Sequence, residues 1–139
     1  MTIRGLNHLT LSVSDLARSI AFYRQALGFS LDAEWPDGAY LRAGDLWLCL
    51  TLDMTTRDGP LDEYTHAAFD VAADDIADMA ACVAAAGGRP WRQNKSEGVS
   101  HYFLDPDGHK LELHAGDLNS RLDHYRRQPA AGVTVYRKP

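Results

Sequence analysis

Two histidines and one glutamate stand in this sequence where a metal ion could use them: His8, His66 and Glu112. Each falls in a stretch of alternating polar and apolar residues, and each lies on the more polar side of that stretch. Two imidazoles and a carboxylate are a common ligand set for a divalent ion such as Mn²⁺, Fe²⁺, Zn²⁺ or Ni²⁺. Three protein ligands leave open positions, which characterises a catalytic rather than a structural centre. The spacing is not a short local motif. Taken one at a time, a satisfied core histidine and a solvated glutamate compete with the metal reading. His101, His109, His114 and His124 read as structural or surface residues.

The elements that must hold these side chains can be read around them. Glu112 belongs to a hairpin over residues 101–114. Tyr102, Phe103 and Leu104 form one strand, and Asp105-Pro106-Asp107-Gly108 is a turn in which proline pre-sets φ and glycine takes φ > 0. In the returning strand Leu111 and Leu113 point one way and Lys110, Glu112 and His114 the other. Residues 5–13 alternate too, placing Leu6, His8, Thr10 and Ser12 on one face. A helix follows, capped by Ser14 or Asp15, carrying the stripe Leu16, Ile20, Tyr23 and Leu27 and stopped by Gly28. Strands are expected over 29–35, 39–42 and 46–51, then a polar linker over 53–63 containing Gly59-Pro60. The order then recurs, with a strand over 64–72, a helix over 73–86 ended by Gly87-Gly88, and strands over 90–94, 99–104 and 109–114.

The fold class is therefore α+β, with two tandem βαβββ modules over 5–52 and 64–115 in a single domain of 1–139, and a tail over 116–139 holding a short helix from Ser120. Residues 7–13 superpose on 65–71, and His8 falls on His66. That coincidence raises the metal reading above the alternatives for both histidines.

A further cluster lies between Arg92 and Ser100. Small polar residues at Asn94, Ser96, Gly98 and Ser100 offer oxygens to a cation or donors to an anion, and Arg92, Lys95 and Arg121 add positive charge suited to a phosphate or phosphonate. Net charge is −5 over 139 residues, which argues against nucleic acid or a membrane surface as partner. No apolar run approaches the ~18 residues that span a bilayer, and no signal-peptide core follows Met1, so the chain reads as cytoplasmic. Cys49 and Cys82 read as two reduced, buried thiols.

Several stretches together resemble the fosfomycin-resistance glutathione transferases of FosA type, in the vicinal oxygen chelate superfamily with glyoxalase I and the extradiol dioxygenases. They are residues 5–10, Leu46 to Leu50, Tyr64-Thr65-His66, Gln93 to Gly98, and Tyr102 to Glu112. The resemblance runs from about residue 3 to residue 125. It implies a domain-swapped homodimer whose sites take His8 from one subunit and His66 and Glu112 from the other, with Mn²⁺ as the metal and fosfomycin and glutathione as substrates. Thr10, Arg92, Ser96, Ser100, Tyr102 and Arg121 match positions that hold the phosphonate. Asn94, Ser96, Gly98 and Ser100 match a loop that binds K⁺. Trp35, Tyr40, Trp47 and Cys49 match positions lining the cavity and thiol channel, beside Tyr64. Thr10, Tyr40 and Arg121 are the residues expected to assist the chemistry. Arg92 departs from the family, which has lysine there.

Other readings of the same chain are a fosfomycin epoxide hydrolase, a cysteine or bacillithiol transferase, and a metal-free drug-sequestering protein of the bleomycin-binding kind. The hydrolase needs a carboxylate to activate water, and residues 39–47 offer only Asp45. The retained His8, His66 and Glu112 argue against simple sequestration.

Overall fold

The computed structural model of the chain describes residues 1–95 and 97–138. The first module runs β1 (Leu9–Val13), α1 (Leu16–Leu27), β2 (Ser30–Trp35), β3 (Gly38–Ala43) and β4 (Leu46–Leu52). The second runs β5 (Ala67–Asp70), α2 (Ile76–Ala85), β6 (Pro90–Arg92), β7 (Val99–Leu104) and β8 (Lys110–Ala115), and α3 (Leu118–Arg127) follows. Each module makes a mixed four-stranded sheet, ordered β1-β4-β3-β2 and β5-β8-β7-β6. In each, the first strand pairs parallel with the last. The helix and the two intervening strands form the long crossover that parallel pairing demands.

The caps of α1 are the predicted ones, and α2 begins without a side-chain cap. Asp15 accepts the N–H of Arg18, and Gly28 closes α1 at φ 72°. In the second module neither acidic residue at the start caps with its side chain, and the chain enters α2 through a 3-10 turn over Ala73–Asp75. Helix α3 begins at Leu118, earlier than the expected Ser120, because Asp117 and Ser120 form a reciprocal capping box. The strand expected over 64–72 is confined to Ala67–Asp70, the four residues that find partners in β8.

One apolar core serves both modules. Val13, Leu41, Leu48 and Leu50 of the first sheet, Phe22, Tyr23 and Leu27 of α1, Val83 of α2, and Phe103, Leu111 and Leu113 of the second sheet all belong to it. Ring contacts cross between modules, Phe22 to Phe103 at 6.3 Å and Phe29 to Phe69 at 5.7 Å. Each sheet turns one face to this core. Strand alternation therefore sends the residues between, such as Thr10, Tyr40, Cys49, Tyr102 and Glu112, to the face away from it.

The Asp105-Gly108 turn is more than a hairpin connection. It is buried and joins the modules. The Tyr23 hydroxyl donates to Asp105 Oδ2 at 2.7 Å, and Asp105 Oδ1 accepts the N–H groups of Asp107 and His109. His109 Nε2 donates to the Ser12 carbonyl at 2.7 Å. Asp107 accepts from the Ser14 hydroxyl and from Arg18. Gly108 has φ 89°, and a Cβ there would stand 2.4 Å from the backbone of Gly59, so the polar linker is laid directly against the turn.

The cysteines correct one expectation. Both are free thiols, but Cys49 is only partly buried and Cys82 is exposed. Helix α2 buries Ile76 and Val83, seven residues apart, and Cys82 lies one residue off that stripe. Among the described residues no helix is long and apolar enough to cross a membrane.

Candidate active site

The outer face of the second sheet is assembled by register. Ala68 pairs with Glu112, Glu112 with Tyr102, and Tyr102 with Arg92. Cross-strand partners share a face, and His66, two residues before Ala68, joins them at the edge. Arg92 is there because of a bulge. Pro90 pairs with Phe103 and Arg92 with Tyr102, which leaves Trp91 as the extra residue. In an unbroken register Arg92 would oppose His101 and face the core.

His66 and Glu112 touch, with Nε2 2.9 Å from Glu112 Oε2. His66 Nδ1 lies 2.9 Å from the Tyr64 carbonyl. That carbonyl only accepts, so Nδ1 carries the hydrogen, and the lone pair of Nε2 is aimed at a carboxylate oxygen. Two acceptors at this distance require a cation between them, a proton or a metal. Glu112 is 6% exposed, and its other oxygen accepts the Ser100 hydroxyl at 2.7 Å. Tyr64, Trp91 and Tyr102 surround the His66 ring at centroid distances of 4.9, 5.4 and 6.0 Å.

The first sheet presents a related face. Thr10 pairs with Cys49 and Cys49 with Tyr40, so Cys49 holds the register position of Glu112 and Tyr40 that of Tyr102. A bulge recurs as well. Leu31 pairs with Leu41 and Ala33 with Tyr40, and the extra residue brings Trp35 onto the face of Tyr40. Their rings stand 4.8 Å apart, and Tyr40 meets Trp47 edge-on at 5.1 Å. These three aromatics are 36–39% exposed. His8 rests on Trp47 at 4.5 Å, and its Nδ1 is 2.7 Å from Asn7 Oδ1. As with His66, an oxygen acceptor occupies Nδ1 and leaves Nε2 free to ligate.

The three proposed ligands are thus divided. His66 and Glu112 meet, and His8 stands on the other sheet's face. Among the described residues no three His, Cys, Asp or Glu side chains converge as a metal site.

Of the anion-binding candidates, Arg92 and Tyr102 lie on the face of His66 and Glu112, whereas Thr10 lies on the face of the first sheet. The Arg92 guanidinium carbon lies 4.7 Å from the Tyr64 ring and 5.5 Å from the Tyr102 ring, and its buried Nε has no acceptor among the described residues. Arg121, on α3, is committed to the 93–98 loop: Nε donates to Glu97 Oε2 at 3.1 Å and an NH2 to the Glu97 carbonyl at 3.0 Å. Asn94 donates to the Gly98 carbonyl at 2.8 Å. Ser96 lies outside the described residues. Three participants escape a reading of the sequence: Trp91, displaced by the bulge, Glu97, which holds Arg121, and His114, whose Nδ1 is 2.7 Å from Ser100 Oγ. Only the side-by-side alternation of Glu112 and His114 could have flagged the last.

The chain as a whole is similar to known proteins. Residues 5–113 match the model of the Glyoxalase/Bleomycin resistance protein/Dioxygenase superfamily. The chain is 52% identical over 133 residues to the glutathione transferase FosA of Serratia marcescens, covering 94% of each chain. It is 38% identical over 137 residues to the metallothiol transferase FosB of Lysinibacillus sphaericus, covering 92% of this chain and 94% of that one. Among solved structures, the fosfomycin resistance protein FosX of Listeria monocytogenes, complexed as a variant with Mn(II) and 1S,2S-dihydroxypropylphosphonic acid, superposes with a TM-score of 0.74. It shares 30% identity over 89% of this chain and 99% of that one.

Proposed function

The chain belongs to the Glyoxalase/Bleomycin resistance protein/Dioxygenase superfamily, and within it to the fosfomycin-resistance glutathione transferases of FosA type, and from that premise we propose how its residues add the glutathione thiol to the epoxide ring of the drug. One observation carries the assignment: Nε2 of His66 and Oε2 of Glu112 face each other at 2.9 Å. With Nδ1 of His66 held by the Tyr64 carbonyl, this pair fits a divalent cation, Mn²⁺ by analogy with the FosX complex. His8 is the third ligand.

Because His8 stands on the other module's face, we assign it to the site of a second copy, so that two chains exchange half-sites in a homodimer. The exposed aromatic face of Trp35, Tyr40 and Trp47 is then covered by the partner, which accounts for a patch that an isolated chain would leave to water. When bound, the metal supplies Lewis acidity toward the epoxide oxygen as the ring opens.

The chain's own groups do the rest. Arg92 and Tyr102 hold the phosphonate with Thr10, Ser96 and Arg121, and neutralise a charge that repels an incoming thiolate. Asn94, Ser96 and Gly98 hold K⁺ in the loop, and Ser100 sits between the two sets. Tyr40 Oη hydrogen-bonds the glutathione thiol and aligns it, and Trp35, Trp47, Tyr64 and Cys49 line its approach. No protein nucleophile enters the reaction, so Cys49 is wall.

Product mass tests the reading. The protein is incubated with fosfomycin and Mn²⁺, with and without glutathione. The expected product is the glutathione adduct, formed only with the thiol present. A diol formed without thiol would overturn the transferase in favour of the hydrolase, and a protein that binds the drug without stoichiometric Mn²⁺ would point to sequestration.

A further inference from the structure

The Ser100 hydroxyl lies between two partners at equal distance, Glu112 Oε1 at 2.7 Å and His114 Nδ1 at 2.7 Å. It has one proton to give. If that proton went to the imidazole, Ser100 Oγ and Glu112 Oε1 would face each other as two acceptors at 2.7 Å. The proton therefore goes to the carboxylate, and His114 Nδ1 carries its own hydrogen and donates it to Oγ. The same Nδ1 stands 3.3 Å from Glu112 Oε1. The result is a one-way relay from His114 Nδ1–H to Ser100 Oγ–H to Glu112 Oε1. It ends on the carboxylate oxygen that does not face His66.

The His114 ring is held in place by shape. A Cβ at Gly98 would stand 3.0 Å from its Cε1, and a Cβ at Gly116 3.2 Å from its Nε2. The ring fits closely between the 93–98 loop and the turn into α3 because both neighbours lack side chains. Its side chain is 18% exposed, so little freedom is left to it.

Resting on the assignment of His66 and Glu112 as metal ligands, we propose that His114 is a positioning residue: it fixes the Ser100 hydroxyl and, through it, the direction in which Glu112 offers Oε2 to the metal. The relay also decides between the two tasks open to Ser100. With its O–H donated to Glu112 Oε1 and one lone pair accepting His114 Nδ1–H, Ser100 retains one free lone pair and no free hydrogen. It can serve the loop cation and has nothing to donate to a phosphonate oxygen. Partners that orient a metal ligand in this way are typically worth about 10- to 100-fold in metal affinity.

The test is calorimetric titration of Mn²⁺ into the purified full-length protein, with thermal melts to establish folding. In His114→Asn the side-chain N–H reaches the place of Nδ1–H, whereas in His114→Gln it reaches the place of Nε2. His114→Gln is expected to lose about 10-fold in Mn²⁺ affinity and His114→Asn to stay within about threefold of wild type. Ser100→Ala, which leaves the histidine in place, should lose about as much as His114→Gln, and in its background the Asn and Gln variants should bind alike. Folded His114→Gln with wild-type affinity, equal losses in the Asn and Gln variants, or Ser100→Ala with wild-type affinity would each overturn the positioning role alone. Wild-type protein that binds no Mn²⁺ would overturn the metal reading along with it.

Discussion

Arg92 stands opposite Tyr102, and not opposite His101, because Trp91 is bulged out of β6. That one-residue offset carries a guanidinium from the core side of the sheet to the side of Glu112. There it lies 4.7 Å from the Tyr64 ring and 5.5 Å from that of Tyr102, with a buried Nε left to donate. A lysine at this place keeps the charge and gives up the planar stacking and the fork. Arg92→Lys should therefore raise the KM for fosfomycin about fivefold, the equivalent of ~1 kcal/mol of lost cation–π contact, with kcat within twofold. Steady-state kinetics at saturating glutathione measures this. An unchanged KM would show that the two tyrosines do not tune the anion site.

Glu112 and Cys49 hold equivalent register positions in the two sheets, yet only Glu112 meets a histidine. Glu112→Ala should abolish stoichiometric Mn²⁺ binding and activity together, while Lys110→Ala, further along the same face, keeps both. Cys49→Ala should retain Mn²⁺ binding and turn over within about threefold of wild type, since its thiol packs and does not react. Titration calorimetry and a product assay read the two. Undiminished Mn²⁺ affinity in Glu112→Ala would remove the centre as assigned, and a dead Cys49→Ala that still binds metal and drug would make the thiol a participant.

Exchange of half-sites makes a prediction that a self-contained chain does not. His8→Ala and Glu112→Ala proteins are each expected to be inactive. In a mixed dimer one site receives both lesions and the other receives neither. Random reassortment makes half the dimers mixed, each with one intact site of two, so co-refolding should recover about a quarter of wild-type activity. No recovery, with mixed dimers demonstrated by a tag on one partner, would place all three ligands within one chain.

The buried link between Tyr23 and Asp105 has a stability signature. Tyr23→Phe deprives Asp105 Oδ2 of its donor and should cost about 1–3 kcal/mol in denaturant unfolding. Burial, assisted by the nearby Asp105 charge, holds the Tyr23 phenol well above its ordinary value of 10.0. In the unfolded chain that phenol ionises near 10, and in the folded protein it stays protonated. Its stabilising contribution is therefore intact below pH 10 and is lost as pH rises from there toward the folded value, by up to ~1.4 kcal/mol per pH unit. Above pH 10 the stability of Tyr23→Phe should fall less steeply than that of wild type. Parallel slopes would mean that the phenol ionises freely in the folded state.

Much of the fold is legible in the sequence because its signals are local. Alternation over residues 9–13 and 110–115, the stripe Ile20, Tyr23 and Leu27, the caps at Asp15 and Gly28, and the Asp105-Gly108 turn each need only a few neighbouring residues to be recognised. Recurrence of the same order, with His8 falling on His66, extends that local information to a pair of modules. The types of the proposed metal ligands follow from the residues themselves.

The tertiary structure decided what depends on distant partners. Whether β6 carries a bulge is set by its pairing with β7, and the bulge shifts the phase of alternation by one residue, so that no period-2 reading of Pro90-Trp91-Arg92 could place Arg92. Lys110, Glu112 and His114 alternate identically in the sequence. Only the approach of His66, from just ahead of β5, and of Ser100 on β7 makes Glu112 a buried carboxylate with both oxygens engaged and His114 its support. The Asp105 turn shows the same limit: its residue types specify a tight turn, but its burial against Tyr23, Ser12 and Ser14 comes from packing two modules around one core. Side-chain identity and short-range periodicity are properties of the chain. Which polar groups lose water and face one another is fixed only when separate strands close on each other.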